Sequence, residues 1–262
     1  MIVTMTSLKG GTGKTTISGL WALYLAECCH REVVLLDLDP QGGATCLFLG
    51  GKSSQPGFFD LLDSEMHDQS AVLFRDYLQP SNVHPDIYVL PADPRLHQLS
   101  KEETPVDLLA SLLEKADLPP NTIILIDTGT MRMLVGMGIA AADAVVVPMM
   151  LSPQAIKPTI NTLAMIQHLG TPLLGLVPVA AGSARWEAEL LLGWEKTLSS
   201  RFPNLQFVTP TEHIFPPLSS AKSLVRGSWA ASGFPERFTA TFEALEEGLH
   251  SIEQRILEAG KA

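Results

Sequence analysis

The sequence has few cysteines and no histidine cluster. It contains three cysteines among 262 residues, and two of them, Cys28 and Cys29, are adjacent. An odd number of cysteines with two neighbours is not the disulfide framework of a small secreted protein, so we expect a reduced, cytoplasmic protein. The seven histidines lack the spacing of metal ligands, which argues against a metal ion bound by the protein alone.

Basic residues are also scarce. The chain has 18 lysines and arginines against 28 aspartates and glutamates, which gives a formal net charge of −10. The mean electrostatic field of such a protein repels nucleic acid and anionic membranes. Any binding to DNA would therefore have to come from a local patch of positive charge.

We expect no linkers, internal repeats or signal peptide in this chain. With 46% hydrophobic residues it can bury a large core, so we expect a single domain over residues 1–262. Residues 133–151 carry one formal charge and resemble a membrane span. Glycines and Pro148 interrupt this stretch, so a helix followed by a buried strand explains it better.

A glycine-rich stretch follows the apolar run from Ile2 to Leu8. Its glycines allow a tight turn whose N–H groups approach an anion, and the next helix adds the partial positive charge of its N-terminus. We predict a phosphate-binding loop in which Lys14 contacts the β- and γ-phosphates and Thr15 completes a Mg²⁺ shell. An accidental glycine turn is the weaker alternative. The loop residues are Lys9, Gly10, Gly11, Thr12, Gly13, Lys14, Thr15 and Thr16.

Two apolar runs end in acidic residues. Residues 33–36 precede Asp37 and Asp39, and residues 123–126 precede Asp127. A strand, a helix and a strand in this order predict a right-handed parallel unit, which brings these carboxylates to the edge of the sheet that holds the phosphates. We predict that Asp37, Asp39 and Asp127 support Mg²⁺, partly through water. A capped turn is the alternative for the first pair.

The loop departs from the ordinary P-loop, because Leu8 stands where that pattern has a glycine and Lys9 adds a second lysine. This K-G-G-x-G-K-T-T arrangement, the D-x-D-P-Q-G segment at 37–42 and the acid-ended strand at 123–127 resemble the deviant Walker ATPases of the ParA/MinD type, closest to ParA partition ATPases. The resemblance implies an α/β fold with a doubly wound, mostly parallel sheet and helices on both faces.

The resemblance also implies a mechanism with ATP and Mg²⁺ as cofactors. Lys9 would reach the partner's nucleotide in an ATP-dependent homodimer, Asp39 would position the attacking water, and Pro178 would line the adenine pocket. The family's role is to partition DNA, or to position another large cargo, over the nucleoid. Hydrolysis would be slow alone and faster with a ParB-like adaptor protein, and the protein would be cytoplasmic and nucleoid-associated.

One departure from the family concerns the residues after Asp127. Most ParA-type sequences continue D-x-P-P, whereas this chain has Gly129 and Thr130 in place of the two prolines. We expect this replacement to loosen the segment that senses the γ-phosphate.

A DNA-facing patch is predicted from a stretch that resembles the basic region of ParA-type chains. Four cations among so many carboxylates are more often ordinary surface, which is the alternative. The candidate residues are Arg185, Lys222, Arg226 and Arg237.

The last segment, about residues 234–259, predicts a helix with one apolar stripe. Fewer than three heptads favour docking onto the domain over a coiled coil. Its polar face is rich in glutamate, whereas a membrane-binding tail of the MinD kind would be basic. The acidic face thus disfavours a MinD-like membrane-associated ATPase, which we keep as the alternative. An ATPase like nitrogenase iron protein is a poorer alternative, because its cluster is held by cysteines beyond the Walker B region and all three cysteines here precede residue 47.

Three finer expectations concern local structure. We predict a helix that begins at Pro105, a helix at 153–168 capped by Ser152, and a strand at 207–210.

Overall fold

The centre of the molecule is formed by strands that are buried on both faces. In the computed structural model, which describes residues 1–51, 56–66, 73–99, 104–179, 185–202 and 236–259, the seven strands form a single sheet. Continuous apolar runs such as Val33–Leu36 are typical of parallel strands with helices on both sides. The strands are β1 (Ile2–Met5), β2 (Val33–Leu38), β3 (Gln79–Pro80), β4 (Ile87–Leu90), β5 (Ile123–Thr128), β6 (Ala144–Met150) and β7 (Leu173–Val179).

The sheet has the order β3-β4-β2-β5-β1-β6-β7. All neighbouring strands are parallel except the short edge strand β3, which is antiparallel to β4. In the register of β2 and β5, Asp37 lies opposite Asp127 and Leu38 lies opposite Thr128. The strands β2, β5 and β1 are parallel neighbours, so their carboxyl ends lie side by side at one edge of the sheet.

Eight α-helices connect or follow the strands within the described residues. They are α1 (Lys14–Glu27), α2 (Gly43–Leu49), α3 (Phe58–Met66), α4 (Leu108–Glu114), α5 (Arg132–Ala140), α6 (Ile156–Leu169), α7 (Arg185–Arg201) and α8 (Glu236–Ala259).

The helices cover both faces of the sheet. Side chains of α1, α2 and α8 pack on one face with Val33, Leu35 and Leu125. Side chains of α3, α4 and α5 pack on the other face with Val34 and Leu36. Helices α6 and α7 extend this second layer over β6 and β7. The predicted doubly wound α/β fold is confirmed.

Helix α8 lies close to β7 and α1. Phe242 is fully buried and its ring centre is 5.7 Å from that of Tyr24. A Cβ atom at Gly248 would lie 2.5 Å from a methyl carbon of Leu174. Because glycine has no side chain, the helix can approach the sheet at this point. Arg31 adds a charged contact, with its guanidinium 3.0 Å from Glu253.

Several local predictions differ from the structure. Helix α4 begins at Leu108, so Pro105 precedes the helix and does not occupy its first turn. Ser152 precedes a short 3₁₀ turn at Pro153–Ala155 without a capping hydrogen bond from its side chain. The predicted strand at 207–210 lies outside the described residues.

The apolar stretch after Met133 is resolved as predicted. It forms α5 and the buried strand β6, joined by a short turn. Within the described residues, none of the helices combines the length and the apolar character that crossing a membrane requires.

The packing of α8 generates a stability prediction. Phe242→Ala removes a fully buried aromatic side chain, and we expect it to lower the free energy of unfolding by about 3–5 kcal/mol. Glu247→Ala, on the exposed face of the same helix, is the matched control, with an expected change within about 0.5 kcal/mol. Urea denaturation of both variants measures the difference. Equal stability of the two would show that α8 does not contribute to the folded core.

Candidate functional site

The phosphate loop joins the end of β1 to the start of α1. Its backbone turns at Gly11 and Gly13, whose φ angles of 72° and 79° lie in the left-handed region that favours glycine. Gly13 is the N-cap of α1, so the first backbone N–H groups of that helix point into the loop. Gly10 and Gly11 are exposed. The loop therefore offers donors to an anion at the mouth of the site.

Lys14 is buried, and its ammonium group lies inside the loop. Nζ donates a hydrogen bond of 3.3 Å to the carbonyl oxygen of Lys9. Burial lowers the pKa of Lys14, while the carboxylates of Asp127 and Asp39 act in the opposite direction. The Lys14 ammonium is therefore held close to the carboxylates of Asp127 and Asp39 and to the backbone N–H groups of the loop.

Lys9 occupies a different environment in the same loop. It is half-buried, and within the described part of the chain its ammonium group forms no hydrogen bond or ion pair. The preceding residue is anchored, because the N–H of Leu8 donates a 3.0 Å hydrogen bond to Oγ1 of Thr162 in α6. The backbone at the start of the loop is thus fixed, whereas the Lys9 side chain is available to a ligand.

Asp37 is fully buried at the end of β2, and its oxygens accept three hydrogen bonds. Oδ2 accepts from the backbone N–H and the hydroxyl of Thr45, each at 2.7 Å, and Oδ1 accepts from the N–H of Asp39 at 3.2 Å. Thr45 also accepts a bond from the N–H of Ala92 after β4. Asp37 therefore fixes the segment that carries Asp39, and its predicted role in supporting Mg²⁺ stays a prediction.

Asp127 lies on β5 beside Asp37 and is completely buried. Its Oδ1 accepts a 3.2 Å hydrogen bond from Ser18, and the nearby Thr15 side chain acts to lower the pKa of this carboxyl. Its Oδ2 is buried without a hydrogen-bond partner among the described residues. Carboxylate and hydroxyl oxygens are the ligands that Mg²⁺ takes together with water and phosphate oxygens. Thr15 and Asp127 thus fit a magnesium ion that is bound partly through water.

The two buried aspartates influence each other's ionisation. Burial, together with the nearby charge of Asp37, raises the pKa of Asp127 to about 8, although Thr15, Lys14 and Ser18 act to lower it. Burial also raises the pKa of Asp37 to about 6, against the hydrogen bonds from Thr45. In the absence of a cation, the folded protein therefore favours keeping a proton on this pair.

Asp39 is partly exposed beside the loop. Its Oδ1 accepts a 3.0 Å hydrogen bond from the N–H of Gln41. The negative charge of its carboxylate opposes the lowering of the Lys14 pKa by burial. The carboxylate also lies against Gly129, the residue that follows β5. The predicted catalytic residues Lys14 and Asp39 are therefore brought together at one edge of the sheet.

The end of β7 borders the same edge. A Cβ at Gly13 would lie 3.9 Å from a methyl carbon of Val179, so β7 ends next to the phosphate loop. Pro178 is buried within β7 opposite Met149 of β6. Its predicted contact with adenine stays a prediction.

The predicted DNA-binding residues are only partly described. Arg185 is exposed at the start of α7 and its guanidinium forms a 2.8 Å ion pair with Glu189, which compensates its charge. Lys222 and Arg226 lie outside the described residues, as does the side chain of Arg237 in α8. The patch stays a prediction.

Three polar residues of the site were not predicted from the sequence. Ser18 lies four residues after Lys14, one helical turn further along α1, so helical spacing places it near the same ligands. Thr45 and Thr162 carry no comparable local signal, because their partners lie across the fold.

The raised pKa values generate a prediction about pH. A carboxyl whose pKa is higher in the folded state stabilises the fold fully below its unfolded value near 3.8, and this stability is lost as pH rises through the folded value. We expect the nucleotide-free and metal-free protein to lose stability between about pH 4 and 8, by up to about 1.4 kcal/mol per pH unit for each proton that the folded state holds and the unfolded state does not. Asp127→Asn removes the group with the higher pKa, so its thermal melting temperature should fall less over this range. An equal fall in both proteins would contradict the assignment.

Comparison with known proteins gives this site a context. The AAA_31 family model, described as an AAA domain, matches residues 1–173. The chain is 30% identical over 172 residues to the "Chromosome-partitioning ATPase Soj" of Thermus thermophilus, a match that covers 64% of this chain and 61% of that protein. The chain thus spans less than two thirds of the length of this relative.

Two further comparisons cover nearly the whole chain. The "Maintenance of carboxysome distribution protein A" of Gloeothece citriformis is 24% identical over 264 residues, which cover 93% of this chain and 94% of that protein. Among solved structures, an ATP complex of McdA from Cyanothece superposes with a TM-score of 0.78 at 21% identity, over 95% of this chain and 96% of that one. This likeness concerns the fold. The family match over the part of the chain that holds the phosphate loop, Asp39 and Asp127 shows that the chain belongs to the ParA/MinD-type ATPases.

Proposed function

We propose that this protein is a ParA-type switch ATPase that dimerises when it binds ATP and reopens after hydrolysis. The observation that carries this proposal is the different placement of the two loop lysines. Lys14 is buried and hydrogen-bonded within its own loop, whereas the ammonium of Lys9 has no partner within the described residues. One loop thus offers one cation for its own nucleotide and a second for a ligand outside it.

Each residue has a distinct role in the proposed reaction. The loop N–H groups and Lys14 bind the phosphates and compensate their charge, and Pro178 borders the adenine. Thr15 and Asp127 would hold Mg²⁺, with Asp37 and Asp39 contributing through water, and a bound ion would supply charge compensation for the phosphates. Asp39 orients the attacking water, since phosphoryl transfer depends on an in-line nucleophile more than on covalent chemistry.

The proposed cellular role is the positioning of a large cargo. Two relatives support it by their names, one a chromosome-partitioning ATPase and the other a protein for carboxysome distribution. We propose that the ATP dimer is cytoplasmic, binds the nucleoid non-specifically, and distributes DNA or another large cargo with a ParB-like adaptor. Slow intrinsic hydrolysis suits a switch whose ATP state has to persist until the adaptor acts. We take residues 1–262 as one ATPase domain on which α8 is docked.

The roles of the two lysines are tested by their alanine variants. Lys14→Ala should lose nucleotide binding, because the phosphates lose their nearest cation. Lys9→Ala should bind ATP with an affinity within about threefold of wild type, because the proposed contact of Lys9 is with the nucleotide of the other subunit and not with its own. The variant should nevertheless remain a monomer, because that contact between the subunits is lost. Isothermal titration with ATP and Mg²⁺ measures binding, and size-exclusion chromatography with light scattering measures the oligomeric state. Lys157→Ala, an exposed lysine outside the loop, is the control. An unaltered ATP dimer of Lys9→Ala would overturn the proposed switch.

Nucleoid association is tested by retention of non-specific duplex DNA. Retention should require ATP and should weaken steeply with salt, since four phosphate contacts predict roughly a 100-fold loss of affinity between 50 and 200 mM salt. Lys14→Ala serves as the nucleotide-free control. The combined replacement of Arg185, Lys222, Arg226 and Arg237 by glutamine should abolish retention while leaving the ATP dimer intact. Retention that is insensitive to ATP or to these changes would contradict the proposed patch.

A further inference from the structure

The carboxylate of Asp39 rests against the backbone of Gly129. A Cβ atom at Gly129 would lie 2.9 Å from both Cγ and Oδ1 of Asp39, and 3.3 Å from Oδ2. Distances below 3 Å are too short for non-bonded carbon and oxygen atoms, so no side chain can be added here without movement. Gly129 is buried and its φ angle is not in the left-handed region, so the space and not the backbone conformation requires glycine.

The backbone that carries Asp39 cannot easily move away. The N–H of Asp39 donates to Asp37 at 3.2 Å, and its carbonyl oxygen accepts from the N–H of Gly42 at 2.8 Å. Its Oδ1 also accepts from the N–H of Gln41. These bonds fix the turn, so the flexible end of the Asp39 side chain is the part that can yield.

The backbone on the Gly129 side is equally fixed. Thr128 pairs with Leu38 in the sheet, so Gly129 and Asp39 follow paired residues of neighbouring strands. The hydroxyl of Thr128 donates to the carbonyl oxygen of Met5 at 3.1 Å and lies 2.9 Å from the hydroxyl of Thr6. The residue before Gly129 is thereby held against β1, the strand that leads into the phosphate loop.

We propose that Gly129 is a positioning residue for hydrolysis, because its missing side chain gives the Asp39 carboxylate its place beside the phosphate loop. This inference rests on the proposed role of Asp39 in orienting water. It also gives the departure from the D-x-P-P pattern a physical meaning, because the Cβ of a proline at position 129 would lie only 2.9 Å from the Asp39 carboxylate. In this chain, the present position of the Asp39 carboxylate requires a glycine at position 129.

The variant Gly129→Ala tests the proposal with the smallest possible side chain. The added methyl group should displace the carboxylate by about 1 Å and break its bond to Gln41, which predicts a decrease of about 10- to 100-fold in the rate of hydrolysis. Single-turnover hydrolysis with enzyme in excess of ATP and with Mg²⁺ measures this step. The dissociation constant of ATP should stay within about twofold of wild type, because the loop and Lys14 are unchanged. A structural defect would instead weaken binding and lower the melting temperature.

A double-mutant cycle separates this role from a general effect on the fold. Asp39→Ala removes the three atoms that a Cβ at Gly129 would meet. Gly129→Ala should therefore slow hydrolysis in the wild-type background and add less than about twofold in the Asp39→Ala background. Gly136→Ala is the matched control, since the nearest side-chain atom to its added methyl is 3.5 Å away, an ordinary contact.

The outcomes distinguish the two proposals. Wild-type hydrolysis by Asp39→Ala would overturn the water-orienting role of Asp39, and with it the role of Gly129. Slow hydrolysis by Asp39→Ala together with wild-type hydrolysis by Gly129→Ala would overturn the positioning role alone. Equal losses from Gly129→Ala in both backgrounds would also overturn it, because the effect would then not pass through the carboxylate.

Discussion

Two carboxylates buried side by side at the ends of β2 and β5 are the constraint on which the rest of the site depends. Parallel pairing places Asp37 opposite Asp127, and both side chains are fully buried. A buried carboxylate is costly unless hydrogen bonds or a cation compensate it. The surrounding structure supplies both: Thr45 donates to Asp37, Ser18 donates to Asp127, and the Lys14 charge is nearby. The geometry that we propose to bind a phosphate and a divalent ion is also the geometry that makes this burial tolerable.

Hydroxyl groups connect the strand ends to one another. Thr45 links Asp37 to the segment after β4, and Thr128 links the end of β5 to the end of β1. These side chains are buried, so their bonds are shielded from competing water. A change at one strand end, such as the arrival of an anion at the loop, therefore acts on a connected set of backbones and not on isolated side chains.

Much of this arrangement could be predicted from the sequence. The buried strands are continuous apolar runs, the loop has a dense glycine and lysine pattern, and each acid follows directly after its strand. Parallel topology then brings Lys14, Asp39 and Asp127 to one edge without any further information. The contacts of Thr45, Thr162 and Gly129 could not be predicted, because they depend on the distance between segments that are far apart in sequence. The start of α4 at Leu108 was also missed, since a proline permits a helix to begin but does not oblige it to do so.

The bond between the Leu8 N–H and Thr162 has a mechanical consequence. Leu8 directly precedes Lys9, and Thr162 lies near the middle of α6, so loop and helix share one rigid attachment point. A shift in the first residues of the loop would either lengthen this hydrogen bond or displace α6 as well. The position of α6, which packs over β6 and β7, is therefore coupled to the position of the first residues of the loop.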